Sequence, residues 1–446
     1  MLGSLIMALM ATLQQVSVRW RSMATASARM AAVILMLVTM AVASRRMPGE
    51  AFGFWAICFA VMNFGMALDL GLRYGLANRM AALTAQPDSE GEQRDTFWAV
   101  FHAESLIGLV GFMLCLGILP CIDWAGLFSI HSLELAREVH WLFPLVCGLV
   151  MLNQPLMVAA TVLFARQEIV FVSFLAIVQS VILVVVFGVA LHWGTFPTVV
   201  LSFFGGYWLC GVGMTLVLMK RYGWRWYWTP WREQWAIVGS FIKPSLDFFV
   251  LSFSSMTAAL IGPLVAGAAG GLVVAGDFTL VQRMFGFLVT LHLAFLAPLS
   301  PAYTYHARLG DWEWIRIKLR LCARIIWPFW FVMGGLVIWA GHPLVLRLWA
   351  GRWVSDYGLA GIMAVGVIVV GWWGTYSVVL NSLGVIRRQA VLSVVMLIPV
   401  IVLPVVLGRY WGIYGVAIAS TVCALPGAIL CAGWVRTALQ HERLNV

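Results

Sequence analysis

Charge is what this sequence has least of. Only 10% of its 446 residues are Asp, Glu, Lys or Arg, whereas a soluble domain uses about a quarter to cover its surface. Against that scarcity stand 62% hydrophobic residues and a mean hydropathy of +0.94, an excess that no soluble fold can hide. Motifs for common chemistry are missing too. The chain has no GxxxxGK[ST], HExxH, GxSxG or EF-hand loop, so ATP hydrolysis and the common hydrolase chemistries have no support. Its eight cysteines are scattered, mostly inside apolar runs, without a CxxC pair or a nearby His at metal-ligand spacing. They read as small buried hydrophobes. Cys115 and Cys121 alone are placed to pair, should that face be oxidising.

What the chain does have is a succession of apolar runs. A bilayer core takes about 20 apolar helical residues to cross. Windows of that length predict twelve spans, at 23–44, 52–72, 97–119, 139–164, 169–191, 197–219, 236–260, 273–299, 321–341, 357–380, 390–408 and 414–435. The expected fold class is therefore an all-α polytopic membrane protein. Lys and Arg are retained on the cytoplasmic side. With the amino terminus inside, 20 of the 28 basic residues fall to cytoplasmic segments, counting Arg29 and Arg324 at the inner ends of their spans, and six to outward loops, while Lys243 and Arg283 lie within spans. Both termini are accordingly expected to be cytoplasmic. The net charge of +10 is then spread over inner loops and needs no nucleic acid to explain it. Residues 1–22 are apolar but interrupted by Gln14 and Gln15, without a basic leader or a cleavage signal, and read as a membrane-associated extension.

The longest basic insertion, 220–235 (KRYGWRWYWTPWREQW), splits the spans six and six. It separates an amino-terminal bundle, 23–219, from a carboxy-terminal bundle with a short cytoplasmic tail, 236–446. Its interleaved Trp, Tyr and Arg fit an interface anchor better than an RNA-stacking platform. The halves echo one another faintly. Pro48-Gly49-Glu50-Ala51-Phe52 and Ala275-Gly276-Asp277-Phe278 each place an acid after a glycine and an aromatic close behind, at an offset of 227. An even number of spans per half makes such a repeat parallel, which predicts two pseudo-symmetric six-helix bundles around a central cavity.

Ionisable groups at bilayer depth cost about 2.5–3.5 kcal/mol on insertion scales, so they face a partner or a cavity. Asp69 and Arg73, four apart at the end of span two, read as an ion pair on one helical face or as part of a binding site. Lys243 and Asp247 are also four apart, around Pro244, and leave the same two readings open. Arg29 lies one to two turns into span one, able to reach a cavity or to snorkel. Asp277 lies near the outer end of span eight, and Arg283 is about 9 Å deeper on helical rise, too deep to snorkel easily. That depth makes Arg283 the leading binding candidate. His102, Glu104 and His292 read as coupling groups or as satisfied core residues. Glu104 needs a partner or a proton.

Several stretches together resemble the polysaccharide flippase branch of the multidrug/oligosaccharidyl-lipid/polysaccharide exporter superfamily. They are Gly49 to Trp55 with Ala67-Leu68-Asp69-Leu70-Gly71-Leu72, Pro298 to Asp311, Asn381-Ser382-Leu383-Gly384 with Arg387-Arg388, and Gly412 to Ala417. The resemblance implies twelve helices in two bundles, alternating access, and an undecaprenyl-diphosphate-linked oligosaccharide turned from the inner to the outer leaflet of a bacterial cytoplasmic membrane. It implies a monomer that binds lipids and serves polysaccharide polymerase and export proteins. Substrate binding is then expected at Arg283, Lys243, Arg29 and Arg73. A proton or sodium gradient would couple through Asp247, Glu104, His102 or Asp69, with no cofactor. Two alternatives remain. One is the cation-coupled drug exporters of the same superfamily. The other is a membrane glycan polymerase or ligase, although the longest outward loop, Pro120 to Glu138, offers such an enzyme little room.

Overall fold

The computed structural model describes residues 34–441 apart from 66, 85, 87, 167, 229, 297 and 298, and without the side chains of 243, 244, 294, 301, 308 and 441. Among the described residues every regular element is a helix. Hydrocarbon supplies no hydrogen bonds, so a spanning backbone must satisfy its own N–H and C=O groups, and helices do so within one segment. The chain runs through α1 (34–46), α2 (Gly49–Gly65), α3 (Leu72–Thr84), α4 (Glu90–Ile118) and the short α5 (Trp124–Leu127). It continues through α6 (Leu133–Leu152), α7 (Gln154–Ala165), α8 (Ile169–Trp193), α9 (Phe196–Tyr222) and α10 (Trp231–Leu296). The last elements are α11 (Leu299–Arg308), α12 (Trp312–Leu321), α13 (Gly334–Ala350), α14 (Tyr357–Ser382) and α15 (Ile386–His441).

Among the described residues, eight segments are long and apolar enough to cross a membrane. Two of them, in α10 and α15, are each folded at a single non-helical glycine, Gly271 (φ 84°) and Gly412 (φ 56°), and so hold two crossings apiece. With α2, this accounts for eleven of the twelve expected spans; the first half of the other, 23–44, lies outside the described residues. The sequence places a loop between 260 and 273, but the helix continues to Gly270, because only Gly271 adopts a conformation that L side chains rarely tolerate. Between α12 and α13, Cys322–Ile326 and Pro328–Met333 are π-helical. Pro328 donates no backbone N–H, and widening the turn is one way the ladder adapts.

The described chain divides into two compact units that interleave along the sequence. The first holds α1, α3, α4, most of α6, α7 to α9 and the start of α10 as far as Leu246. Its core joins Phe97, Trp98 and Phe101 of α4 to Val158 and Val162 of α7, and to Leu218 of α9 and Phe241 of α10. The second holds α2, α5, the first turns of α6, and everything from Asp247 onward. There Tyr303, Ile315, Tyr376, Val379, Cys431 and Val435 share a core. Lipid tails are as apolar as these side chains, so cohesion comes from close packing and small residues. Five of the eight cysteines are buried.

Candidate functional site

In the first unit three ionisable groups meet where a helix is broken. The sequence suggests that span two runs unbroken to Leu72, putting Asp69 and Arg73 on one helical face. Instead α2 stops at Gly65, Leu70 and Gly71 take positive φ of 50° and 79°, and α3 begins at Leu72. Asp69 is the reason a new helix can start there. Its carboxylate accepts from the backbone N–H of Gly71 and of Arg73, both at 3.2 Å, which occupies donors that a helix start leaves open. The same carboxylate takes Nε of Arg73 at 3.0 Å. Arg73 also donates to Oε1 of Gln154 at 3.4 Å and lies 3.9 Å from Oε1 of Glu104. Glu104, on α4, is wholly buried, and among the described residues neither of its carboxylate oxygens has a hydrogen-bond partner. Two carboxylates thus surround one guanidinium. With both ionised, the group carries one uncompensated negative charge, which a single proton or monovalent cation neutralises.

Two residues earlier on α4, His102 faces a different set of neighbours. Its ring is 4.4 Å from Trp228 and 5.6 Å from both Trp98 and Trp226, and Nδ1 shares a hydrogen bond of 3.2 Å with Nε2 of Gln234. Trp226 and Trp228 belong to the linker between α9 and α10 and remain 62% and 61% exposed. His102 therefore fastens that linker to α4.

In the second unit Arg283 stands on the last two-fifths of α10, with its guanidinium 4.6 Å over the ring of Phe59 in α2. Its Nε is buried without a hydrogen-bond partner, and among the described residues it has no ion pair. Asp277 is paired, accepting from Nη1 of Arg352 at 3.3 Å. His292 is buried and bound at Nε2 to Oγ1 of Thr375 at 2.9 Å, with the Phe331 ring 4.9 Å away. Asp247 is half-buried on α10, where Lys243 also falls, though the Lys243 side chain lies outside the described residues. Arg29 lies outside them altogether.

The structure thus brings Asp69, Arg73 and Glu104 together in the first unit, and Arg283 belongs to the second. Gln154 and Arg352 join these groups without having been singled out in the sequence. Gln154 was legible, as part of a polar Asn-Gln pair inside an apolar run. Phe59 was not, because one phenylalanine among so many carries no signal.

No family model and no curated protein matches the chain. Solved structures do. A multidrug resistance MATE family transporter of the MOP superfamily, in an inward-facing conformation, aligns with a TM-score of 0.71 at 16% identity over 95% of this chain and 99% of its own. An outward-facing conformation of such a transporter aligns at 0.59, with 18% identity over 95% and 96%. A MOP superfamily transporter from Pyrococcus furiosus, described as having a binding pocket of reversed polarity, aligns at 0.63 with 15% identity over 95% of each. The fold of this chain is that of the MATE transporters, an all-helical membrane architecture of twelve spans in two bundles. At such identities the likeness concerns the fold.

Proposed function

We propose that this chain is a secondary transporter that carries an amphipathic, anionic cargo across a bilayer by alternating access. The observation that carries this reading is Arg283, a cation inside an apolar helix with no ion pair among the described residues and a buried Nε left without a hydrogen bond there, set in a fold shared with transporters over 95% of the chain. A cation left unpaired in a low-dielectric setting is stabilised by an anion that arrives with the cargo. The cargo that fits is a polyprenyl-diphosphate-linked oligosaccharide, turned from the inner to the outer leaflet of a bacterial cytoplasmic membrane for polysaccharide export, with both termini cytoplasmic as the basic residues suggest. Arg283 holds the diphosphate, with Lys243, Arg29 and Arg73 as further cations along the route. Glu104, Asp69, His102 and Asp247 couple the cycle to protons or sodium.

A second reading is favoured by the solved relatives, whose names speak of multidrug resistance and so point to a cation-coupled drug exporter more directly than to a flippase. The buried carboxylates Asp69 and Glu104 suit a cationic cargo. One pair of assays separates the two: appearance of lipid-linked saccharide on the outer face, and drug resistance conferred on a sensitive host. The flippase reading expects Arg283→Ala to abolish saccharide transport at normal protein levels and Arg283→Lys to retain part of it. Full transport by the Ala variant removes Arg283 from the site, and drug resistance without saccharide transport replaces the flippase with the exporter.

A further inference from the structure

Along α2 runs a ladder of aromatic rings with an arginine at each end. Phe52, Trp55 and Phe59 are all buried, and successive rings stack at 6.2 and 5.6 Å. Arg352 lies 4.8 Å over Phe52 and Arg283 lies 4.6 Å over Phe59. Seven residues separate the two phenylalanines, which puts them on the same face of α2 and about 10 Å apart along it. Attraction to a ring face uses none of the guanidinium's N–H donors, so both arginines keep hydrogen-bonding capacity for an anion. In each, the buried Nε has no hydrogen-bond partner among the described residues.

The two differ in their company. Arg283 has no ion pair among the described residues, whereas Arg352 holds Asp277 through one contact of 3.3 Å. That contact is long for a charge-assisted hydrogen bond, which is typically about 2.8 Å. A diphosphate carries more charge than one carboxylate and offers oxygens for bidentate contact, so it competes well for Arg352.

We infer that Arg352 is a second anion station. It receives the diphosphate head group after Arg283, about two helical turns nearer the outer face in the orientation proposed above, and Asp277 occupies Arg352 between cargoes. The inference rests on the anionic cargo of the preceding section and adds where that cargo goes next. The aromatic ladder fixes the spacing, because Trp55 packs between the two ring-bound ends and holds them a constant distance apart.

The test uses the full chain in proteoliposomes with a fluorescent polyprenyl-diphosphate disaccharide, measuring its transfer between leaflets and, in detergent, its binding. A hydrogen bond to a charged group contributes about 1.5–3 kcal/mol, so losing a station costs about tenfold or more in the step that uses it. Arg283→Ala is expected to lose binding. Arg352→Ala is expected to bind within about threefold of the wild type yet transfer about tenfold more slowly, with Arg352→Lys intermediate. Asp277→Asn, which frees Arg352, is expected to bind several-fold more tightly and to release more slowly. Wild-type transfer by Arg352→Ala overturns the second station. Where that variant does not fold, an Asp277→Asn protein unchanged in both binding and release overturns it instead. A wild-type chain that neither binds nor moves the lipid overturns the anionic-cargo reading, and the station with it.

Discussion

Gly53 lies against Leu272 so closely that a Cβ at position 53 would sit 1.7 Å from the Leu272 carbonyl oxygen. Nearby, a Cβ on Gly276 would come within 2.8 Å of Phe52 and 3.3 Å of the Gly53 Cα. The two members of the sequence echo, Gly49 to Phe52 and Gly276 to Phe278, therefore meet where α2 crosses α10. Small residues let the backbones approach, as membrane helices commonly require.

Gly53→Ala is accordingly expected to destabilise the protein by about 1–3 kcal/mol, the usual cost of overpacking, because its obstacle is backbone and cannot rotate aside. Gly117→Ala has open space around it and is the control, expected to change stability by less than about 1 kcal/mol in either direction. Thermal unfolding in detergent compares the two. Equal midpoints would mean that the crossing is looser than the structure shows.

The Asp69, Arg73 and Glu104 group predicts an unequal pair of single variants. Arg73→Ala strands two buried carboxylates and is expected to cost about 3–5 kcal/mol. Glu104→Gln keeps the shape and removes the uncompensated charge, so it is expected to be near neutral. The double variant should recover part of the Arg73→Ala loss, with a coupling of about 0.5–3 kcal/mol. Additive losses in denaturant titrations would show that Glu104 and Arg73 do not interact.

His102 is expected to govern the order of the linker. In His102→Ala, amide hydrogen exchange across 223–228 should accelerate while exchange in the α4 core around Phe97 stays slow. Loss of protection throughout α4 would instead make His102 a general packing residue.

Asp311 supplies an acid-side prediction outside the membrane spans. Its side chain caps α12 by accepting the Trp314 backbone N–H at 3.1 Å, and it holds Nδ1 of His306 at 2.9 Å. These contacts, the backbone one foremost, draw its carboxyl below the ordinary range. A depressed folded-state value means that the cap's contribution is present above the unfolded value of about 3.9 and is lost as pH falls through the folded one. Hydrogen exchange of the first turn of α12 should therefore rise below that range in the wild type. In Asp311→Asn it should be insensitive to the same change in pH.

The membrane class, the helical fold and the approximate span positions were legible in the sequence, because a bilayer imposes them on any chain with so few charges and such long apolar runs. The break at Asp69 was less so. Four-residue spacing suggested a helical ion pair, but a carboxylate followed by Gly71 can equally cap a new helix, and only the backbone decides between them. Beyond local spacing the sequence is silent. Glu104 lies 31 residues from Arg73, and Phe59 lies 224 from Arg283. Those neighbours are chosen by how helices pack, through small residues and close-fitting side chains that hydropathy averages away. Hydropathy determined that the charges had to find partners within the bilayer, and the tertiary packing decided which partners they found.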